Sequence, residues 1–309
     1  MQTQDPREAP GAGDDFEAVL RAKTRSPKPQ ALDAARSAAK LAKTTAPVRW
    51  RFLERTAAAD PAPAMAQVLR GDRGGRRAGG RGGEVRLKLL LSMLWLVRDN
   101  PAPVLTAPSR AWASLLGLDD PTGRGSRRIN DAISWLEDGG FLIKDTTGDR
   151  VIQLLNETGN RQPYELPGAA IRRLPPRDPR RTDHLYLQLP SGLWTNGWLS
   201  LLSGAAVAML LLLYRLQADN PEGTLLWFGG QDAKLRFDLS DDTRSKGLRE
   251  LTMAGLVNVE RKAVDPASFE PERVRNVYAL QRDRLNKPAR ILNDYQYSDW
   301  WEAAAAATT

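Results

Sequence analysis

The sequence predicts an α+β fold, mainly helical, in which a unit of three helices and a β-hairpin occurs twice behind a disordered basic N-terminal arm. Three observations carry this expectation. Ser126–Asp138 holds Ile129, Ala132, Ile133 and Leu136 at helical spacing, and a Gly-Gly break and two short strand patterns follow it. The same order of signals returns after residue 185. Segments dense in Gly, Pro and Arg separate the two copies from each other and from the N-terminus.

The 309 residues suffice for two domains of ordinary size with tails, and a 41% hydrophobic content is enough for real cores. A net charge of +8 and a pI near 9.9 favour a polyanionic partner, either nucleic acid or an anionic membrane surface. With no cysteine, disulfides, thiolate metal sites and cysteine nucleophiles are excluded. His184 is the only histidine, so no His-paired metal site can form and histidine acid–base chemistry has little scope. Acidic residues are scattered without a phosphate loop or a paired-carboxylate motif, and no enzyme, cofactor or metal is expected.

Residues 1–83 form the expected arm, with 16 basic against 9 acidic side chains, and the excess charge of the chain sits mostly there. Ala31–Lys43 is Ala-rich and a candidate helix. The tract Gly71–Gly83 combines mobile glycine with Arg73, Arg76, Arg77 and Arg81, and is expected to be disordered when unbound, serving as a solvated linker, a sequence-independent phosphate contact, or both. The start, MQTQDPREAPGAGDDFEAV, lacks the basic n-region and apolar core of a secretory signal, and export is not expected.

The first copy occupies 84–157. Val85–Arg98 is a dense apolar helix stopped by Asn100, Pro101 and Pro103, and Val104–Leu105 is a short strand. Ser109 is a plausible N-cap for Arg110–Leu116, and Gly117 offers a left-handed stop. The third helix sets its apolar stripe opposite Arg127, Asn130, Asp131 and Ser134, with Asp131 placed to pair with Arg127 or Arg128. Phe141–Lys144 and Val151–Leu155 flank a turn through Thr147-Gly148-Asp149.

Residues 158–184 read as a semi-rigid linker, because prolines punctuate Arg172, Arg173, Arg177, Arg180 and Arg181 and forbid a continuous helix or a central strand. The second copy occupies 185–285. It offers an apolar helix from near Gly204 to Leu216, a short strand at Leu225–Phe228 and a second helix at Gln231–Phe237. A third helix follows to about Ala254, capped by Ser240 or Asp241, and then a hairpin of Asn258–Val264 and Arg273–Leu280 with an acidic tip. Trp194 and Trp198 read as core or interface anchors rather than base-stacking platforms, since their surroundings are apolar. Trp198–Tyr214 approaches the length of a membrane span, but Ser200, Ser203 and Gly204 interrupt it, and no membrane is expected. Residues 286–309 are read as a tail.

Helix, short helix, amphipathic third helix, LEDGGFLIK entry into a hairpin and a returning strand resemble the winged-helix family over Glu84–Asn156, and LTMAGLVNVE marks the same junction in the second copy. The resemblance implies two winged helix-turn-helix domains, each with its third helix in the major groove and its hairpin tip against backbone or minor groove. Base reading then falls to Arg124, Arg127, Asn130 and Ser134 in the first copy and to Arg244, Lys246 and Arg249 in the second. Phosphate contact falls to Arg128, Lys144 and Arg150, and to the arm and linker arginines named above.

Two such units in one chain resemble plasmid replication initiators. That layout implies sequence-specific binding of double-stranded DNA at origin repeats, in the cytoplasm with nucleoid or plasmid DNA, and with the replication machinery as a further partner. A transcriptional regulator would share these features, and a structural or segregation protein would use the basic arm without base reading. The second unit serves either as a second reader or as a packing or homodimer domain.

Overall fold

The computed structural model describes residues 24–57, 59–73, 76–77, 82–97, 104–145, 151–263 and 274–292. It is an α+β fold dominated by helices, with sheets of two or three strands.

Residues inside the expected arm are folded. After strand β1 (Thr24–Arg25) comes α1 (Pro29–Ala39), with proline at its first turn and Ala31 and Ala35 buried. Strand β2 (Thr45–Arg49) leads into the single turn α2 (Trp50–Leu53), then α3 (Ala64–Arg70) and a short hairpin of β3 (Asp72–Arg73) and β4 (Arg76–Arg77). The expectation of a flexible arm over 1–83 is therefore corrected for 24–73. Alanines spaced four apart carry too little hydrophobicity to announce a buried face, yet α1 packs closely on the second helix of the first unit because its contact face is so small.

The first unit runs α4 (Gly83–Leu96), β5 (Val104–Leu105), α5 (Ser109–Leu115), α6 (Arg124–Asp138), β6 (Leu142–Asp145) and β7 (Val151–Leu154), with sheet order β5-β7-β6. Gly117 closes α5 at φ +68°, the left-handed stop expected there.

The segment 158–184 is also not a free linker. It forms α7 (Pro167–Arg173), opened by proline, and a 3-10 helix Pro179–His184. The Arg181 guanidinium donates to the carbonyls of Ile171 at 2.6 Å and Leu174 at 2.9 Å, so an arginine expected on phosphate instead satisfies the open end of α7. Strand β8 (Tyr186–Pro190) then pairs antiparallel with β2, from Thr45 opposite Pro190 to Arg49 opposite Tyr186. The turns α8 (Gly192–Thr195) and α9 (Trp198–Leu201) follow.

The second unit begins with α10 (Gly204–Ala218), whose first turn Ser203 caps through Ala206 N–H at 3.2 Å. Leu226 bridges Tyr278, α11 (Gly230–Asp232) runs on into a π-helical turn at Ala233–Phe237, and α12 (Asp241–Met253) is capped by Ser240. The hairpin β9 (Val257–Ala263) and β10 (Val274–Leu280) completes it. Its spatial order of strands, with the Leu226 position beside β10 and β10 beside β9, repeats that of the first unit.

Strand β11 (Ile291–Leu292) pairs with β1, and Ala289 and Ile291 are buried, so the expected tail begins inside the fold. One continuous set of buried apolar residues extends from Ala35 to Ile291 and includes α4 and α10 of both units. Trp194 and Trp198 are core residues as expected: Trp194 stacks on Trp95 with centroids 4.8 Å apart and donates to Ser92 Oγ, and Trp198 donates to the Lys287 carbonyl. Among the described residues no helix is long and apolar enough to cross a membrane, and the apolar run Trp198–Tyr214 is split between α9 and α10.

Candidate nucleic-acid interface

The strongest candidate surface is built on α6. Gly125, Ile129, Ala132, Ile133, Trp135 and Leu136 are buried, which turns Arg124, Arg127, Arg128, Asn130, Asp131 and Ser134 outward. The helix starts two residues before Ser126 because the Asp120 carboxylate accepts from the Gly123 and Arg124 N–H groups at 3.1 and 2.9 Å. Those bonds, the Arg124 one foremost, hold the Asp120 carboxyl below its ordinary pKa. Ser126 is left to donate to the Pro121 carbonyl at 2.5 Å.

Arg124, Arg127 and Arg128 have no hydrogen bond or ion pair through their side chains among the described residues. The expected pairing of Asp131 with Arg127 or Arg128 does not form, since none of the ion pairs involves them. The acid near the head of α6, Asp119, is bonded to Lys28, which depresses its pKa more than Arg124 and Arg128 do. A lysine from the N-terminal segment thus holds this carboxylate, and Arg124 and Arg128 act on it only through their charge.

Sequence reasoning missed Arg110. It lies exposed at the start of α5, the helix packed against α6, and has no hydrogen bond or ion pair among the described residues. Its signal was Ser109, read as an N-cap. Pro108 takes that position, and the Ser109 hydroxyl donates to Asn130 Oδ1 at 2.5 Å instead.

The other expected contacts are less open. Lys144 is ion-paired with Glu137 at 2.5 Å, and its Nζ donates to Ser134 Oγ at 3.3 Å, so both residues are already engaged with each other. In α12 the first turn is acidic. Asp241 binds Arg244, whose side chain is only 12% exposed, and Asp242 binds Lys246 at 3.0 Å, while Arg249 has a partner as well. Arg244, expected as a base reader, is thus largely turned in and paired at its own helix start in this conformation.

Of the remaining arginines, Arg173 makes a two-pronged contact with Glu165 at 2.8 and 3.1 Å, and Arg180 holds Asp178, lowering its pKa to about 2. Arg172 and Arg177 are exposed without an ion pair among the described residues. Arg73, Arg76 and Arg77 have a described backbone only, and Arg81 and Arg150 lie outside the described residues.

An open depression of about 470 Å³ between α2, the 3-10 helix and the π-helical turn is charged, but its groups satisfy one another: Arg51 with Asp183, and Arg236 with Glu54. Among the described residues no group of three or more His, Cys, Asp or Glu could hold a metal ion. Compared with known proteins, the chain matches no family model, no curated sequence and no solved structure.

Proposed function

We propose that this chain is a non-enzymatic, sequence-specific double-stranded DNA-binding protein of two winged helix-turn-helix units, and that α6 of the first unit is its principal reading helix. The observation that carries the reading is the outward face of α6. There Arg124, Arg127 and Arg128 make no side-chain hydrogen bond or ion pair among the described residues and stand beside the Asn130 carboxamide, on a helix whose opposite face is fixed in the core. Arginine can donate in parallel to guanine O6 and N7, and phosphates take the remaining cations. Arg110 joins Arg128 as a phosphate contact. The acidic first turn of α12 repels phosphate, so the second unit contributes less to base reading.

The duplicated unit in one chain supports origin binding by a replication initiator of a plasmid or mobile element as the role to test first, with operator binding by a regulator as the runner-up in the same class. Selection of bound duplexes from a random pool tests the reading, with footprinting of the enriched site expected to protect one to two helical turns. Arg127→Ala is expected to cost about 1–3 kcal/mol on the selected site and to relax one base position. Arg244→Ala is expected to change stability more than recognition. Equal loss on selected and random DNA in the Arg127 variant would remove the base-reading role, and salt-sensitive binding without a footprint would leave only a structural one. If a plasmid carrying the site replicated normally without this gene, the initiator role would fall and the regulator role would stand.

A further inference from the structure

For Asn130 to read adenine, its carboxamide must donate to N7 and accept from the N6 amino group at once. The structure orients that group differently. Its oxygen faces α5 and accepts from the Ser109 hydroxyl at 2.5 Å, and Ser109 is 6% exposed and held at the first position of α5. Asn130 itself is exposed, and its Nδ2 has no partner among the described residues.

A carboxamide nitrogen has two hydrogens and no acceptor capacity. What Asn130 offers to a ligand is thus a pair of donors, one turn along α6 from the donor-only guanidinium of Arg127.

Resting on the reading of α6 as a base-contacting helix, we infer that Ser109 is a specificity-positioning residue. It holds Asn130 as a one-way hydrogen-bond donor, so that the base opposite Asn130 is guanine rather than adenine. In the major groove guanine presents two acceptors, N7 and O6, which match the two Nδ2 hydrogens. Adenine places its N6 amino donor where the second hydrogen points, and cytosine presents its N4 amino donor. Together Arg127 and Asn130 form a donor-only row, and the selected site is guanine-rich on the strand they face.

The test is selection from a random duplex pool with the full chain, run on the wild type, Ser109→Ala, Ser109→Thr, Asn130→Ala and Asn130→Asp. Asn130→Ala locates the position that the residue reads. Guanine there in the wild type is the expected result, and adenine overturns the inference while leaving the DNA-binding reading intact. Ser109→Ala releases the oxygen and lets the carboxamide turn, so the guanine-to-adenine ratio at that one position should fall about fivefold or more with binding to random DNA unchanged. Ser109→Thr keeps the hydroxyl and should keep guanine. An unchanged profile in a folded Ser109→Ala chain overturns the proposal. Should that variant fail to fold, Asn130→Asp decides: an acceptor-only carboxylate should move the preference to cytosine, and retained guanine counts against the proposal. A wild type that enriches no motif overturns this inference and the proposed function together.

Discussion

At the scale of single residues, the joints of this molecule are arginines that have been taken out of solvent. Arg49 is the clearest case. Its Nη1 meets Glu157 at 2.7 Å, its backbone N–H reaches the other Glu157 oxygen at 3.1 Å, and its Nη2 donates to the Glu165 carbonyl at 2.5 Å. Both side chains of the pair are essentially inaccessible, at 1% and 0%. A pair so buried is favourable only when its remaining donors and acceptors are satisfied, and here backbone and carboxylate together do this. The guanidinium Nε faces His184 Nδ1 at 3.4 Å, an arrangement that needs that nitrogen unprotonated. Burial first, and the Arg49 charge second, hold the His184 pKa below its ordinary 6.5. The unfolded chain therefore takes up this proton at a higher pH than the folded one. The stabilisation is fully present above 6.5 and is lost as pH falls from there through the folded-state pKa. Denaturant unfolding of the wild type and His184→Asn between pH 7.5 and about 5 should show the wild type losing stability faster, by a few tenths of a kcal/mol after solvent screening. Parallel curves would show that His184 titrates alike in both states. With His184 the single histidine, few other groups obscure the reading.

At the scale of elements, the third helices of the two units share a position in the fold and differ in how they are held. Helix α6 is fixed by a conventional apolar stripe, and the sequence reports it plainly. Helix α12 is held by close approach: a Cβ at Gly247 would lie 2.4 Å from the Ala205 carbonyl oxygen of α10, backbone that cannot swing aside. In an isolated helix alanine would be favoured over glycine by up to about 1 kcal/mol. Here Gly247→Ala should instead destabilise by about 1–3 kcal/mol as α12 is pushed off α10, measured as a lowered urea midpoint with an unchanged slope. A stabilised variant would mean that the two helices can separate without cost. The contrast explains what was legible. The stripe of α6, the left-handed stop at Gly117, the hairpin entry after Gly140 and the tryptophan anchors are local patterns whose period or residue type states their role. The burial of α1 through alanines and the pairing of β2 with the distant β8 despite Pro47 and Pro190 depend on partners far along the chain, and the engagement of Arg173 by Glu165 and of Arg181 by the end of α7 depends on a neighbouring turn. A charge count cannot separate a braced arginine from a free one. For that reason the outward face of α6 was found from sequence, while Arg110 and the pairing of Arg244 with Asp241 were not.

At the scale of the whole molecule, two units expected to be tethered by a linker are fused on one core, with first helix against first helix. Glu84 at the head of α4 uses one oxygen to hold the buried Lys88 at 2.7 Å and the other to accept from Gly204 N–H, closing the start of α10 at 3.2 Å. Glu250 of α12 accepts from Ser203 N–H at 3.1 Å and from Arg25 of β1 at 3.2 Å, so the N-terminal segment and the second unit meet at the same joint. Burial dominates at Lys88 and lowers its pKa despite the Glu84 carboxylate, the mark of a charge held in a packed interface. Chains of this length often unfold in stages, and a tethered pair would do so unit by unit. The shared core argues otherwise. Tryptophan fluorescence, to which the buried Trp95, Trp112, Trp135, Trp194 and Trp198 of the first unit and the joint contribute, should report the same urea midpoint as far-UV circular dichroism, which weighs both units. Glu84→Ala, which leaves Lys88 and the head of α10 without their partner, should lower both midpoints together. Separated transitions, or a shift in only one signal, would mean that the units fold independently and that their spacing on a bound duplex is set by the DNA rather than by the protein.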